Sequence, residues 1–251
     1  MSSIARLLSI LELFSENKPF LSAEEVASEL DCSAPTAYRY VRELVESGLL
    51  VRFSGGDYGL GPRIIELDYQ LRISDPLLTS GQPIMRELSE QTGFDVVMSR
   101  WYGSGVVDTH RETRDASLHL RYGRGRPRPL FRGGAPKAIL STFPKARLAA
   151  LFDQYADEIA ESGLGTTFAE FRTALMKIRR DGFYLSKGEL EPDVSALATP
   201  LFVVDVEEAI GALALIVPTS RLEFANIERL VESTKDAAAR ITHRTRAALE
   251  A

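Results

Sequence analysis

At Gly48 the hydrophobic pattern of this chain changes period. After it, Leu49-Leu50-Val51-Arg52-Phe53 and Tyr58-Gly59-Leu60 flank Ser54-Gly55-Gly56-Asp57, the pattern of a β-hairpin. Before it the apolar residues recur at helical spacing in three segments. Ile4, Leu7, Leu8, Leu11 and Phe14 mark a helix over residues 4–15, which Asn17-Lys18-Pro19 ends. The second helix opens on Ser22-Ala23-Glu24-Glu25, a capping box in which serine and glutamate satisfy each other's backbone donors. It turns Val26, Ala27 and Leu30 inward. After Asp31-Cys32-Ser33 a third helix starts, with Ser33 as N-cap and Pro35 in the first turn, where no N–H partner is needed. Ala37, Val41, Leu44 and Val45 form its buried stripe, and Gly48 stops it as the C′ residue. Helix, helix, short turn, helix, hairpin is the order of a winged helix-turn-helix.

The third helix carries the residues suited to reading DNA. Away from its apolar stripe lie Thr36, Tyr38, Arg39 and Arg42, with Ser33 at the start. A recognition helix meets base edges with its N-terminal half. Arginine bonds guanine through two N–H groups, while hydroxyls bond phosphates or base edges. Glu43 and Glu46 lie further along. Arg52, Ser54 and Gly55, at the hairpin, are placed to track the backbone or enter the minor groove. Charge gives this reading no help. The net charge is −5, and residues 1–72 hold 7 Lys and Arg against 11 Asp and Glu, a balance of −4. The alternative is therefore a ligand-sensing, protein-interaction module whose winged helix does not bind DNA.

Beyond the hairpin, residues 64–74 read as a further helix with Ile64, Ile65, Leu67 and Leu71 apolar. Asp75-Pro76 breaks it and marks a domain boundary. The division expected is a winged helix over 1–62, a linker helix over 63–75 and a second domain over 76–251. In that domain residues 83–92, 134–143, 145–152, 168–180 and 223–250 read as helices. Residues 94–101, 105–110, 118–122, 194–204 and 209–217 read as strands. The mixture has no regular βαβ alternation, so the class is α+β.

A hydrophobic share of 45% supplies a core without disulfides or metal, and the single Cys32 fits a reducing, cytoplasmic setting. The start of the chain lacks the apolar run and cleavage site of a signal peptide. No phosphate loop or dinucleotide motif calls for a cofactor. His110, His119 and His243 stand in no motif with a nucleophile or a second metal ligand, so no enzyme is expected.

Leu21-Ser22-Ala23-Glu24-Glu25-Val26-Ala27, Pro35 to Leu44 and Gly48-Leu49-Leu50 together resemble the start of the IclR family of bacterial transcriptional regulators. Three further segments resemble later family signatures. They are Pro129-Leu130-Phe131-Arg132-Gly133-Gly134-Ala135-Pro136-Lys137-Ala138, then Gly188-Glu189 with Val194-Ser195-Ala196-Leu197-Ala198-Thr199-Pro200, and Ile210-Gly211-Ala212-Leu213-Ala214-Leu215. The resemblance implies a GAF-like effector-binding domain joined by a linker helix to the DNA reader. It also implies binding to double-stranded operator DNA as a homodimer or homotetramer, under control of a small metabolite.

Gly133-Gly134-Ala135-Pro136 before a helix also reads as an anion site, because glycine lets a ligand approach exposed backbone N–H groups. Positions that the resemblance places in the pocket depart from the family's polar forms. Phe131 stands for histidine, Ser186 for an acid, Ala196 for cysteine, and Ala214 and Ile216 for serines. An effector bulkier or more apolar than a two- or three-carbon oxoacid, such as an aromatic acid, is expected. Leu197 is counted with this set. Seven arginines, Arg111, Arg114, Arg121, Arg124, Arg126, Arg128 and Arg132, face only Glu112 and Asp115 in the same window. Most are expected on a solvated loop, with Arg121 and Arg132 the two directed at the effector.

Overall fold

The computed structural model of the protein describes residues 2–115, 123–203 and 207–250. The chain divides into two compact units, Met1–Ser74 and Asp75–Ala251.

In the first unit α1 (Ser3–Ser9) runs into a 3-10 turn (Ile10–Leu13), followed by α2 (Ala23–Glu29) and α3 (Ala34–Glu46). Then come β1 (Leu50–Arg52), β2 (Tyr58–Leu60) and α4 (Pro62–Ser74). The capping box forms in both directions: the Glu25 N–H donates to Ser22 Oγ at 3.1 Å and the Ser22 N–H to Glu25 Oε2 at 2.8 Å. Ile10, Leu21, Val26, Ala37, Val41, Leu44 and Leu50 are buried in one cluster, so the periodic stripe is the core. Gly48 takes φ +74° just past α3, a left-handed conformation that glycine adopts without strain. Strands β1 and β2 pair antiparallel, Leu50 opposite Leu60. The first helix is shorter than its apolar period suggests, because its last turn tightens to the 3-10 form common at helix ends.

The second unit contains α5 (Pro76–Thr92), β3 (Asp95–Trp101), β4 (Val106–Glu112), β5 (Pro127–Arg128) and α6 (Gly134–Leu140). It continues with α7 (Lys145–Glu161), α8 (Phe168–Asp181), β6 (Tyr184–Lys187), β7 (Val194–Leu201) and β8 (Gly211–Pro218). It ends with α9 (Thr219–Leu222) and α10 (Ile227–Glu250). The strands form one six-stranded sheet in the order β5-β4-β3-β8-β7-β6, with every pair antiparallel. The architecture is α+β.

Both faces of the sheet are covered, which is why β7 and β8 read as almost continuous apolar runs. Strand alternation separates two cores. Val96, Met98, Leu197, Leu213 and Leu215 pack with α5 and α10. Val97, Ala198, Ala212, Ala214 and Ile216 pack with α6, α7 and α8. The alanines on that second face let α6 approach closely: a Cβ on Gly134 would meet the Ala198 Cβ at 3.0 Å and the Ala196 carbonyl at 3.1 Å.

Several elements differ from the sequence expectation. Helix α5 begins at Pro76, not at residue 83, and continues through Pro83. Asp75 ends one helix and caps the next: its Oδ1 accepts the Leu77 N–H at 3.0 Å, Pro76 occupies the first turn, and Arg100 holds its second oxygen. The short strands β5 and β6 carry too few residues to show a period. Residues 118–122, expected as a strand, lie outside the described residues. Among the described residues no helix is long and apolar enough to cross a membrane.

Candidate functional sites

In the first unit, helix α3 and the hairpin bring four of the expected DNA contacts to one open groove. Tyr38, Arg39 and Arg42 come from α3 and Arg52 from β1; Pro35, Val45 and Tyr58 complete the lining, which contains no carboxylate. All three arginines are exposed. They reach the groove because Ala37, Val41 and Leu44 commit the other face of α3 to the core. The Arg39 guanidinium lies 5.4 Å from the centroid of the Tyr40 ring. Arg42 pairs at 3.5 Å with Glu46 one turn on, in water, a contact worth little. The Tyr38 hydroxyl donates to Glu24 Oε1 at 2.7 Å. That bond holds the tyrosine's pKa above its ordinary value and the carboxyl's below.

Ser33, Thr36, Ser54 and Gly55 lie outside this groove lining. Ser33 stands at the N-cap of α3, but its hydroxyl makes no cap bond and instead pairs with the Thr36 hydroxyl at 2.9 Å. Ser54 and Gly55 are exposed at the hairpin tip.

Helix α4 buries none of its side chains within this unit. Ile65, Tyr69 and Ile73, spaced by four, are 74%, 60% and 53% exposed. They form one apolar stripe.

In the second unit a narrow cleft lies between the start of α6 and the sheet. Arg128, Gly133, Gly134, Ala135, Ser186, Leu190, Glu191, Val194, Ala196, Ala214 and Ile216 line it. Its volume is about 30 Å³, close to the share of a single water molecule in the liquid. Sheet register assembles its floor: Ser186 faces Ala196 across β6 and β7, and Ala196 faces Ile216 across β7 and β8. Gly133, Gly134, Ala135, Ser186, Ala196, Ala214 and Ile216 are thus brought together. The Ser186 hydroxyl donates to the Ala196 carbonyl at 3.3 Å.

Three residues expected here are placed differently, and a fourth is not described. Leu197 follows Ala196 in an extended strand, so it points to the opposite face and packs beside α5 and α10. Phe131 is buried between the rings of Tyr155 and Phe171, at 5.7 and 6.1 Å, and is absent from the lining. Arg132 is half-exposed and lies 3.9 Å from Glu161. Arg121 lies outside the described residues.

The helix start beside the cleft already holds an anion. Glu189 Oε2 accepts the Gly133 N–H at 2.9 Å and the Lys137 ammonium at 2.7 Å, and Glu189 Oε1 accepts the Tyr184 hydroxyl at 2.7 Å. Lys137 is buried. Burial and the Glu189 bond raise the pKa of Tyr184, so its hydroxyl stays protonated. Of the backbone donors read as an anion site, the Gly133 N–H is taken by the protein's own Glu189 carboxylate.

Two arginines of the cluster are not on a solvated loop. Arg111 Nε donates to the buried Asp95 at 2.9 Å. Arg128 grips Asp108 with Nε and Nη2, both at 2.6 Å, and the Ser99 hydroxyl donates to the same carboxylate at 2.6 Å. Arg114, Arg124, Arg126 and Arg132 are exposed. Sequence reasoning missed Arg128 as a cleft residue. The available signal was Asp108, an acid inside an apolar strand that needs a buried cation.

Both units of the chain match known proteins. Residues 3–52 fit the IclR helix-turn-helix domain, and residues 73–243 fit the bacterial transcriptional regulator IclR C-terminal domain. The chain is 26% identical over 247 residues to the HTH-type transcriptional regulator KipR of Bacillus subtilis, covering 96% of each chain. An IclR transcriptional regulator from Alicyclobacillus acidocaldarius has the same fold, with a TM-score of 0.80 at 20% identity over 97% of this chain and 98% of that one. An IclR homolog from Microbacterium hydrocarbonoxydans, solved in complex with 4-hydroxybenzoate, superposes with a TM-score of 0.78 at 23% identity, covering 98% and 100%. With both of its units matched, the chain belongs to the IclR family of transcriptional regulators and carries that family's helix-turn-helix domain.

Proposed function

We propose that this protein binds operator DNA through the groove between α3 and the hairpin, and that a small organic acid in the cleft beside α6 controls that binding. The observation that carries the DNA reading is the convergence of Arg39, Arg42 and Arg52 with Tyr38 on a surface whose lining holds no carboxylate. Of the unit's acids, Glu25 and Glu29 lie 3.5 Å from Lys18, while Glu24 and Glu46 touch the groove's rim through Tyr38 and Arg42.

Ser33, Thr36, Ser54 and Gly55 flank the arginines as hydroxyl and backbone contacts to phosphate. Residues 1–62 act as the reader and 63–75 as the linker. The linker's apolar stripe of Ile65, Tyr69 and Ile73 pairs with a second copy, and two readers then gather enough phosphate contacts for tight binding. Residues 76–251 sense the effector.

Val194, Ala196, Ala214 and Ile216 suit an aromatic acid better than a small oxoacid, and 4-hydroxybenzoate in the Microbacterium relative is of that class. A ring is larger than the present cleft. Its entry displaces Leu190, which covers Gly133 so closely that a Cβ there would lie 2.8 Å from a leucine methyl.

Binding to the DNA upstream of the protein's own gene, followed between 50 and 200 mM salt, tests the reader. A protein neutralising several phosphates loses roughly a thousandfold or more over that range. Absence of binding, or binding without a salt slope, rejects DNA reading and favours a protein-interaction module. Calorimetry tests the effector class: glyoxylate or pyruvate binding more tightly than any aromatic acid overturns it.

A further inference from the structure

Two consecutive residues of β3, Ser99 and Arg100, face opposite sides of the sheet and hold different parts of the second unit. Side chains alternate along a strand, so Ser99 shares a face with Val97 and the helices α6 to α8. There its hydroxyl donates to Asp108 Oδ1 at 2.6 Å, and Asp108 accepts Nε and Nη2 of Arg128, a wall residue of the cleft that has other interactions as well. Strand β8 reaches the same residue through its backbone. It gives Ala214 and Ile216 to the cleft, and at its start a Cβ on Gly211 would collide with the Ser99 carbonyl. The register of β3 on β4 also slips between Met98 and Ser99, with Thr109 as the extra residue. Bulges of this kind re-aim a side chain. Two walls of the cleft thus bear on Ser99.

Arg100 lies on the other face, with Met98 and α5. Its Nη1 donates to Asp75 Oδ2. Asp75 is the single non-helical residue between α4 and α5, at φ −79° and ψ 108°. Pro76 keeps the residue before it out of the helical region, so α4 does not run on into α5. The backbone of Asp75 therefore sets the direction in which the linker leaves. The carboxylate that anchors it is buried, its side chain 6% exposed, and its oxygens are divided between the Leu77 N–H at 3.0 Å and Arg100. A buried carboxylate is costly to separate from its cation, so Asp75 follows where Arg100 goes. The Arg100 guanidinium also lies 5.6 Å from the centroid of the Tyr102 ring, a second seat for the cation on a half-exposed aromatic face.

We propose that the Arg100–Asp75 pair couples the cleft to the linker. Widening of the cleft moves Asp108 and Gly211 against Ser99, tilts Arg100 on the opposite face and alters its hold on Asp75. The proposal rests on the reading of this cleft as the control site for DNA binding. It assigns regulation to two residues that line neither the cleft nor the DNA groove.

The test is a double-mutant cycle on the full chain, read as affinity for the DNA upstream of its own gene at one salt concentration. Ala196→Leu wedges the cleft open with a resident side chain, so the cycle runs without a metabolite. It is expected to shift DNA affinity by about fivefold or more, the ordinary range for coupling between sites. In an Arg100→Gln background the same substitution is expected to shift it by less than about twofold, the limit within which independent sites add. Asp75→Asn, which keeps an oxygen to cap α5 and removes the anion, is expected to suppress the shift equally. It carries the cycle should Arg100→Gln not fold, as Ala214→Val does for Ala196→Leu. A pair with a merely structural role would change DNA affinity by one factor in every background and leave the shift intact.

The outcomes separate the two readings. An equal shift with and without the Arg100–Asp75 pair overturns the coupling and leaves the cleft as the control site. Folded Ala196→Leu and Ala214→Val proteins that bind DNA as the unaltered chain does overturn both.

Discussion

Arginine is used in opposite ways in the two units. On the first, Arg39, Arg42 and Arg52 stand in water around a groove that no carboxylate lines. On the second, Arg111 and Arg128 are drawn into the fold by Asp95 and Asp108, both almost fully buried. A cation in water keeps its charge available for a phosphate and adds little to stability. A cation under the surface has to bring its counter-ion, and each then depends on the other. Sequence clusters the second kind more densely than the first, yet the sparse exposed set is the one we propose for DNA.

The comparison breaks most sharply at Asp108. Asp108→Ala removes the buried carboxylate that Arg128 grips, and thermal or urea unfolding is expected to show a loss of about 3–5 kcal/mol. A loss below about 1 kcal/mol would mean that Arg128 escapes to water and that the two sets of arginines are alike. Next comes Arg39→Ala with Arg42→Ala. Specific DNA affinity is expected to fall about a hundredfold or more, at about 1–3 kcal/mol per base-contacting arginine. The melting temperature and effector binding stay unchanged. Unchanged DNA affinity would remove α3 as the reader.

The smallest effect concerns Tyr38. Its bond keeps the Glu24 carboxyl titrating below the ordinary value. A folded-state pKa that is depressed gives a contribution present above the unfolded pKa and lost as pH falls through the folded one. In Tyr38→Phe the Glu24 midpoint, followed by NMR titration, is expected to rise toward the ordinary value. A midpoint that stays put would show that the tyrosine is not what holds the carboxylate.

Local signals made the first unit legible. Ser22 and Glu25 announce a helix start, Gly48 announces a stop, and Ala37-Val41-Leu44 leaves only one face of α3 for Arg39 and Arg42. The second unit was legible where periods are long, as in α8, β7, β8 and α10. It was not legible where a residue's role is decided by distant partners. Asp75-Pro76 carries the same letters whether it ends a helix or starts one. Leu197 belongs to the wrong face by a single residue of register, because side chains alternate along a strand. Arg128 and Asp108 are 20 residues apart, and their pairing exists only once β5 lies against β4.

Glu189 has a consequence for how such a sensor changes over generations. Its carboxylate meets the Gly133 N–H and the Lys137 ammonium, so these two donors at the start of α6 are partnered within the protein itself. That part of the fold does not depend on a guest. In the effector site proposed above, replacements at Ala196, Ala214 or Ile216 alter what is recognised and leave those two donors covered. On that proposal selection, or a designer of biosensors, can walk the wall of this cleft from one metabolite to another through folded intermediates.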